Sequence, residues 1–357
     1  MTEETRVGVR QHCQSLGVSL FLAAAVLAAC SDGRAPLVLY SPHGADLLGI
    51  VEREYEALHP EVDVRWLDMG SQDVYDRIRS EGANPQADVW YGGPDTIVGR
   101  GAAEGLLAPY RPAWAESAPA DSRHPQDFYF GLYRTAPVLA WNSAAVGPEE
   151  APRDWDDLLD PKWRGKLLLR DPLGSGTLRT LFAMVLARSV AETGSEERGW
   201  RWLARLDAQT REYLHSPALM IEKLARQEGL VTVWELTDML WQEHRGRPLA
   251  FAFPSSGTPV INDAVGLVAG APHPEAARAF LDWVGSAEGQ LLAAREAFRL
   301  PVRTDLPAAE LPPWAQRVEA ELLPATVDRD LVARKEAAWM AEWDRTVRGR
   351  GTGAGGG

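Results

Sequence analysis

The sequence predicts an α/β protein built as two lobes with a ligand cleft between them. Three observations carry that reading. Strand, turn and helix follow one another three times between Pro36 and Gly105, a second series of alternating elements runs from Lys166 to Phe253, and extended segments join the two series. At 357 residues the chain is also long for a single hydrophobic core.

In the first series, Leu37, Val38 and Leu39 are a short buried strand that ends in Ser41, Pro42, His43 and Gly44. Leu47, Leu48, Val51, Tyr55 and Leu58 then recur at helical spacing until Pro60. Val62, Val64 and Trp66 alternate as a strand, Gly70 and Ser71 turn into a helix carrying Val74, Tyr75 and Ile78, and Gly82 closes it. Asp88–Tyr91 is the third strand, followed by Gly92, Gly93, Pro94, Asp95 and a helix ending before Gly105. Such units predict a parallel sheet with helices on its faces and with ligands outside the carboxyl ends of the strands, where Ser41–Gly44, Gly70–Gln72 and Gly92–Asp95 lie.

Beyond a Pro-rich loop, Tyr129–Trp141 is an unusually long extended segment containing Arg134, of the length needed to cross between lobes, and Val265–Ala269 is a second such crossing. Trp155–Gly165 reads as a helix and a basic turn. The second series then places a strand at Lys166–Leu169, helices at Leu178–Ala187 and Trp200–Leu206, and a strand at Arg211–Leu214. A helix at Leu219–Gln227, a strand at Leu230–Trp234, a helix at Leu236–His244 and a strand at Leu249–Phe253 complete it. Helices at Pro274–Trp283, Ala287–Phe298 and about Asp328–Arg348 follow. The expected boundaries are a leader at 1–29, a first lobe of 36–141 with about 262–302, a second lobe of 142–261 with about 303–348, and a flexible Gly-rich tail at 349–357.

The net charge of −13 disfavours nucleic acid and an anionic bilayer as main partners. Arg6 and Arg10 precede an apolar run, Leu16–Ala29, too short to span a membrane and ending in Leu27, Ala28, Ala29, Cys30. The pattern reads as a secretory leader, and the tetrad looks like a bacterial lipobox, with cleavage before Cys30 and acylation of its thiol. Cys13 leaves with the leader, so the mature chain would hold one Cys, used for lipid, and no disulfide.

The turn Asp171, Pro172, Leu173, Gly174, Ser175, Gly176, Thr177 sits between a strand and a helix start. Its glycines let a guest approach the backbone, and Ser175 and Thr177 place hydroxyls beside the unpaired amides of the first helical turn, a seat for an anion. The plainer alternative is that one of these hydroxyls caps the helix. Three helix starts carry such residues, Ser71 with Gln72, Gly93 with Asp95, and Ser175 with Thr177, and three aimed at one cleft would offer an anion several donors at once. Trp234, with Trp90 and Tyr91, stands at a strand end and offers an aromatic wall, with core packing the more ordinary use for at least one of the three. Glu235 would accept hydroxyl hydrogen bonds from the solute. Gly-x-Ser-x-Gly, His-Glu-x-x-His, phosphate-loop and paired-Cys motifs do not occur, so neither an enzyme nor a cofactor is expected.

Several motifs together resemble bacterial extracellular solute-binding proteins of ABC importers, the branch with ferric-ion-binding and sugar-phosphate- or phosphonate-binding members. They are Val38–Pro42, Asn84–Val89 with Gly92 and Gly93, Trp155–Gly165, Asp171 with Ser175, Gly176 and Thr177, and Pro274–Ala277 with Gly289 and Gln290. The resemblance implies a periplasmic-binding-protein-like fold of type II, a monomeric, lipid-anchored receptor in the periplasm or otherwise outside the cytoplasm, and delivery of a small anionic solute to an ABC permease in the inner membrane. Taken with the helix starts and the strand-end Trp234 read above, it gives an expected ligand set of Ser41, His43, Ser71, Gln72, Gly93, Asp95, Ser175, Gly176, Thr177, Trp234 and Glu235. The ferric alternative would use His43, Asp95 and Glu235, but the adjacent tyrosines that such members carry are replaced here by Trp234, Glu235 and Leu236. A lipoprotein hydrolase is the alternative from another class.

Overall fold

The computed structural model describes residues 33–349, so the leader, the lipobox cysteine Cys30 and nearly all of the Gly-rich tail lie outside the described residues. Two mixed β-sheets form the scaffold. The strands are β1 (Ala35–Ser41), β2 (Val62–Asp68), β3 (Val89–Pro94), β4 (Leu107–Ala108), β5 (Phe130–Thr135), β6 (Pro137–Asn142), β7 (Leu167–Arg170), β8 (Thr210–Leu214), β9 (Val231–Glu235), β10 (Leu249–Ala252), β11 (Ile261–Val268) and β12 (Leu300–Pro301). The first sheet has the order β12-β5-β11-β3-β1-β2, with β4 also on β11, and the second the order β10-β6-β9-β7-β8.

The expected parallel core is present, since β1 pairs in parallel with both β2 and β3. The sheet as a whole is mixed, because β11 runs antiparallel between β3 and β5. Side chains alternate along β1 and β3 as the pleat requires: Leu37, Leu39, Val89 and Tyr91 pack into one apolar cluster, Tyr40 and Trp90 into the cluster on the opposite face. Trp90 and Tyr91 are fully buried, so both serve the core of the first lobe and form no wall for a ligand.

In the second sheet β7 is parallel to β8 and β9, while β6 and β10 add antiparallel edges. Helix Gly176–Thr193 is apolar nearly all round because it lies between this sheet and the helices Glu197–Gln209 and Arg329–Thr346. Trp343 from the last helix is fully buried against Phe182 and Tyr213. Burying a large side chain of this kind is worth about 1.5–3 kcal/mol.

Several elements differ from the sequence reading for identifiable reasons. Trp155–Leu159 and Pro161–Trp163 are two short 3-10 turns, each opened by an aspartate that caps it, Asp154 and Asp160. The extended segment holds two strands: β5 belongs to the first sheet and β6 to the second, so the chain changes sheet at Ala136 and Pro137–Asn142 pairs within the second. β11 starts at Ile261 and lies wholly in the first sheet, so the return crossing precedes it. Its polar residues Asn262 and Asp263, upstream of the Val265–Ala269 run read as strand, are buried at the strand's cleft end. Helix Pro313–Glu321 and the two-residue strands β4 and β12 carried too little periodicity to be seen.

Candidate ligand-binding cleft

The carboxyl ends of β1 and β2 face those of β7 and β9 across a cavity of about 750 Å³. Its walls include Pro42–Gly44 and Asp68–Asp73 from the first sheet's loops, and Arg170, Asp171, Leu173–Thr177, Trp234, Glu235 and Asp238 from the second's. The two sides touch. A Cβ on Gly70 would stand 2.8 Å from the carbonyl oxygen of Gly174, and one on Gly176 would stand 2.8 Å from Pro94 Cδ and 2.9 Å from Ser71 Oγ. Only glycine lets these loops approach so closely.

The 171–177 turn is built by its own backbone and by two arginines. Leu173 donates to Asp171 Oδ1 at 2.9 Å, Gly174 and Ser175 donate to the Asp171 carbonyl, Arg348 Nη2 reaches Asp171 Oδ2 at 2.6 Å, and Arg179 Nη2 donates to the Leu173 carbonyl at 2.9 Å. Ser175 caps the helix, because its Oγ accepts from the backbone N–H of Leu178 at 3.3 Å. Thr177 does not cap. Its side chain and that of Ser71 are 8 % and 7 % exposed, line the cavity, and have no hydrogen-bond partner among the described residues. Two helix starts therefore converge on one place, with a free hydroxyl on each.

Of the residues singled out in the sequence, His43, Ser71, Gln72, Ser175, Gly176, Thr177, Trp234 and Glu235 line this cavity together. Ser41 is fully buried beneath it, where its Oγ accepts from His43 N at 3.2 Å. Gly93 is also off the wall and uses its backbone N–H on Asp263. Asp95 lies elsewhere: it accepts from Asn262 Nδ2 at 3.2 Å and pairs with Arg329 beside a separate cavity of about 180 Å³. The helix start at Gly93–Asp95 is thus turned away, and the converging starts are two where the sequence suggested three. Arg134 is tied to the Pro301 carbonyl and to Glu319, outside the cleft.

Beneath the floor is a buried charged group. Arg299 is 3 % exposed, sits 3.3 Å from Glu235 and donates to the His43 carbonyl at 3.1 Å. Burial pushes Glu235 up to about 8 and Asp263 up to about 6, with Arg299 opposing both shifts. Burial, then Arg299, holds the His43 imidazole well below its usual range, so the ring is neutral near pH 7. The ring packs edge-on to Tyr91 and Tyr133, whose hydroxyls hydrogen-bond to each other at 2.9 Å. Its Nε2 abuts Gly92, where a Cβ would stand only 2.1 Å away. Because Asp95 lies outside the cavity, the set His43, Asp95 and Glu235 does not assemble. Among the described residues no three of His, Cys, Asp and Glu come together as a metal site.

Arg170, which was not anticipated, is the cleft's most distinctive side chain. It is 5 % exposed, its Nε donates to the Leu214 carbonyl at 3.0 Å, and its guanidinium lies over the Trp234 ring, 5.2 Å from the centroid. Trp234 in turn donates Nε1–H to Asp238 Oδ2 at 2.5 Å. A charged residue closing the otherwise apolar strand Leu167–Arg170 was the available signal.

Two lobes closing a polar cleft at the carboxyl ends of their strands define a solute-binding receptor, and comparison with known proteins agrees. The chain belongs to the bacterial extracellular solute-binding protein family, whose pattern it matches over residues 84–320. It is 27% identical over 342 residues, 95% of this chain and 94% of the relative, to a Sinorhizobium fredii protein named as an ABC transporter periplasmic-binding protein, y4fP. Over 252 residues, 69% of this chain and 71% of the relative, it is 28% identical to a Salmonella typhimurium periplasmic protein named for 2-aminoethylphosphonate binding. Over 258 residues, 69% and 70% of the two chains, it is 25% identical to iron uptake protein A1 of Synechocystis. In fold it is similar to the periplasmic binding protein AfuA of Actinobacillus pleuropneumoniae, solved with fructose-6-phosphate bound, with a TM-score of 0.74, 24% identity and coverage of 89% of this chain and 99% of that one. The protein is thus a periplasmic solute-binding component of an ABC importer, which hands its solute to a permease.

Proposed function

We propose that the solute is a small phosphorus oxyanion, an organophosphate or phosphonate, captured without chemical change and carried to the permease by a monomeric receptor held to the membrane through lipid on Cys30. The observation that carries this reading is the pair of nine-tenths-buried hydroxyls, Ser71 and Thr177, unpartnered among the described residues beside two converging helix starts. Helix amides and hydroxyls are donors that suit an oxyanion, and each helix terminus favours negative charge by about 0.3–1 kcal/mol when exposed and up to ~2 kcal/mol when partly buried. Arg170 adds a formal positive charge on the same wall. The Salmonella relative named for a phosphonate is in keeping with this chemistry.

Ferric iron fits the wall less well. Asp95 stands outside the cavity, and Tyr91 and Tyr133 are buried with raised pKa values, held in their phenol forms by burial. Hydrolysis fits less well still, since the His43 Nε2 that would serve as base is closed off against Gly92. Native mass spectrometry of the protein purified with its ligand tests the proposal directly: a retained mass containing phosphorus supports it, and a retained iron ion or neutral sugar overturns it.

A further inference from the structure

Helix Ala287–Ala297 of the first lobe closes on Phe298, whose backbone is left-handed at φ 53°. Glycine ordinarily takes that position, because a bulky side chain there is strained, and strain of this kind persists where the surrounding structure holds it for a purpose. Here it turns two side chains toward the second lobe. The Phe298 ring meets Trp241 and His244 of helix Leu236–His244 at centroid distances of 4.9 and 5.4 Å, and Trp314 of helix Pro313–Glu321 at 5.6 Å. It thereby joins the second lobe's apolar cluster, while Trp241 packs in return against the first lobe's.

Arg299 follows and passes beneath the cleft. Its Nη1 donates to Glu235 at 3.3 Å and its Nη2 to the His43 carbonyl at 3.1 Å. Glu235 ends β9 of the second sheet, His43 belongs to the turn after β1 of the first, and both line the cavity, whereas Arg299 does not. One guanidinium therefore ties the two walls together from below. Burial acts against its charge, and Glu235, Asp263 and Asp238, in that order, sustain it. A planar fork fixes the spacing of its two acceptors as a flexible ammonium would not. At the front the walls touch through Gly70, Gly174 and Gly176, contacts that can part as a cleft opens. A buried guanidinium shared by both lobes cannot part without leaving a charge unpaired.

We propose that Phe298 and Arg299 are positioning residues of solute capture: without touching the solute, Arg299 holds Glu235 and the His43 turn at a fixed spacing and, anchored by Phe298, carries contact at either wall to the other lobe. The coupling is indifferent to the identity of the solute, and only the choice of probe rests on the oxyanion reading above.

Hydrogen exchange read by mass spectrometry on ligand-free protein compares wild type with two variants. Arg299→Lys keeps the charge and loses the fork, and Phe298→Gly suits the left-handed backbone and loses the ring. In both, segments 41–48 and 235–245, one from each lobe, are expected to exchange faster together by about tenfold or more, with helix Gly176–Thr193 unchanged. By calorimetry glycerol 3-phosphate should bind each variant more weakly by about fivefold or more, and at saturation it should restore protection to both segments, which a folding defect alone would not show. Loosening of one segment without the other, loosening spread through both lobes, or wild-type affinity in both variants overturns the proposal. Should Arg299→Lys fail to fold, Phe298→Gly decides. If glycerol 3-phosphate does not bind wild type while a ferric salt or a neutral sugar does, the oxyanion reading falls, and the exchange pattern with that solute still decides the coupling.

Discussion

Leu178 donates its backbone N–H to Ser175 Oγ at 3.3 Å, and this bond divides the labour of two neighbouring hydroxyls. Ser175 is spent on its own helix, which leaves Thr177 as the turn's side-chain donor to the cleft. Ser175→Ala is expected to lower apo stability by about 0.5–2 kcal/mol, the usual cost of a lost cap. Thr177→Val keeps the shape and deletes a donor, so it should weaken a bound organophosphate by about 1–3 kcal/mol while the apo melting temperature stays in place. Melting curves with and without ligand separate the two, and Thr177→Val lowering apo stability at intact affinity would refute the assignment.

Closure depends on Gly176. Its missing Cβ is what lets the second lobe's helix start meet Pro94 and Ser71 of the first. Gly176→Ala should favour the helix itself yet hold the loops apart. Solution scattering is expected to show wild-type protein shrinking on saturation with ligand and the variant keeping its apo radius of gyration. A wild-type profile unchanged by saturating ligand would contradict hinged closure.

Stability should rise as the pH falls from 8 to about 6.5. Glu235 has its pKa raised by burial to about 8, so over this window the folded state takes up a proton that the unfolded chain, with an ordinary carboxyl, does not. The stabilisation is complete below the unfolded value and lost as pH climbs through about 8, with a slope of at most ~1.4 kcal/mol per pH unit for one proton. His43 acts oppositely, since burial lowers its pKa and its protonation in the unfolded chain erodes stability below about 6.5. Denaturation midpoints measured at several pH values should show the upper slope flattened in Glu235→Gln.

A ferric salt should give no visible band. The two tyrosines near His43 are engaged with each other at 2.9 Å inside the core, away from the cavity wall. Tyrosinate bound to ferric iron absorbs visible light, so a coloured complex that resists a mild chelator would reverse the ranking of solutes.

Lipid attachment at Cys30 rests on the Leu27–Cys30 tetrad behind an apolar run. Metabolic labelling with a fatty acid should mark the wild-type protein, and Cys30→Ala should lose both the label and the membrane fraction. An unlabelled, soluble wild type would remove the anchor.

Short apolar strands bounded by Gly, Pro and Ser were readable, and so was the parallel core of β1, β2 and β3, because strand, turn and helix follow one another there three times. The direction of a helix start was not. Asp95 follows β3 directly with Pro94 as N-cap, and its carboxylate is committed to Asn262, 167 residues downstream, and to Arg329, 234 residues downstream, partners no local pattern could supply. Arg170 was overlooked because a terminal charge on an apolar strand ordinarily marks the way out to solvent. Here the strand ends inside a cleft, and burial of the guanidinium on Trp234 is a property of the fold.

Ala136 is one fully buried residue between a strand locked into the first sheet and a strand locked into the second. A joint that short has no slack, so the two sheets cannot drift apart here and any relative motion must be taken up by a few backbone torsions. Occupancy would then be written as an angle, which makes the receptor a molecular goniometer: a fluorescent donor and acceptor placed far out on the two sheets would turn solute concentration into a distance.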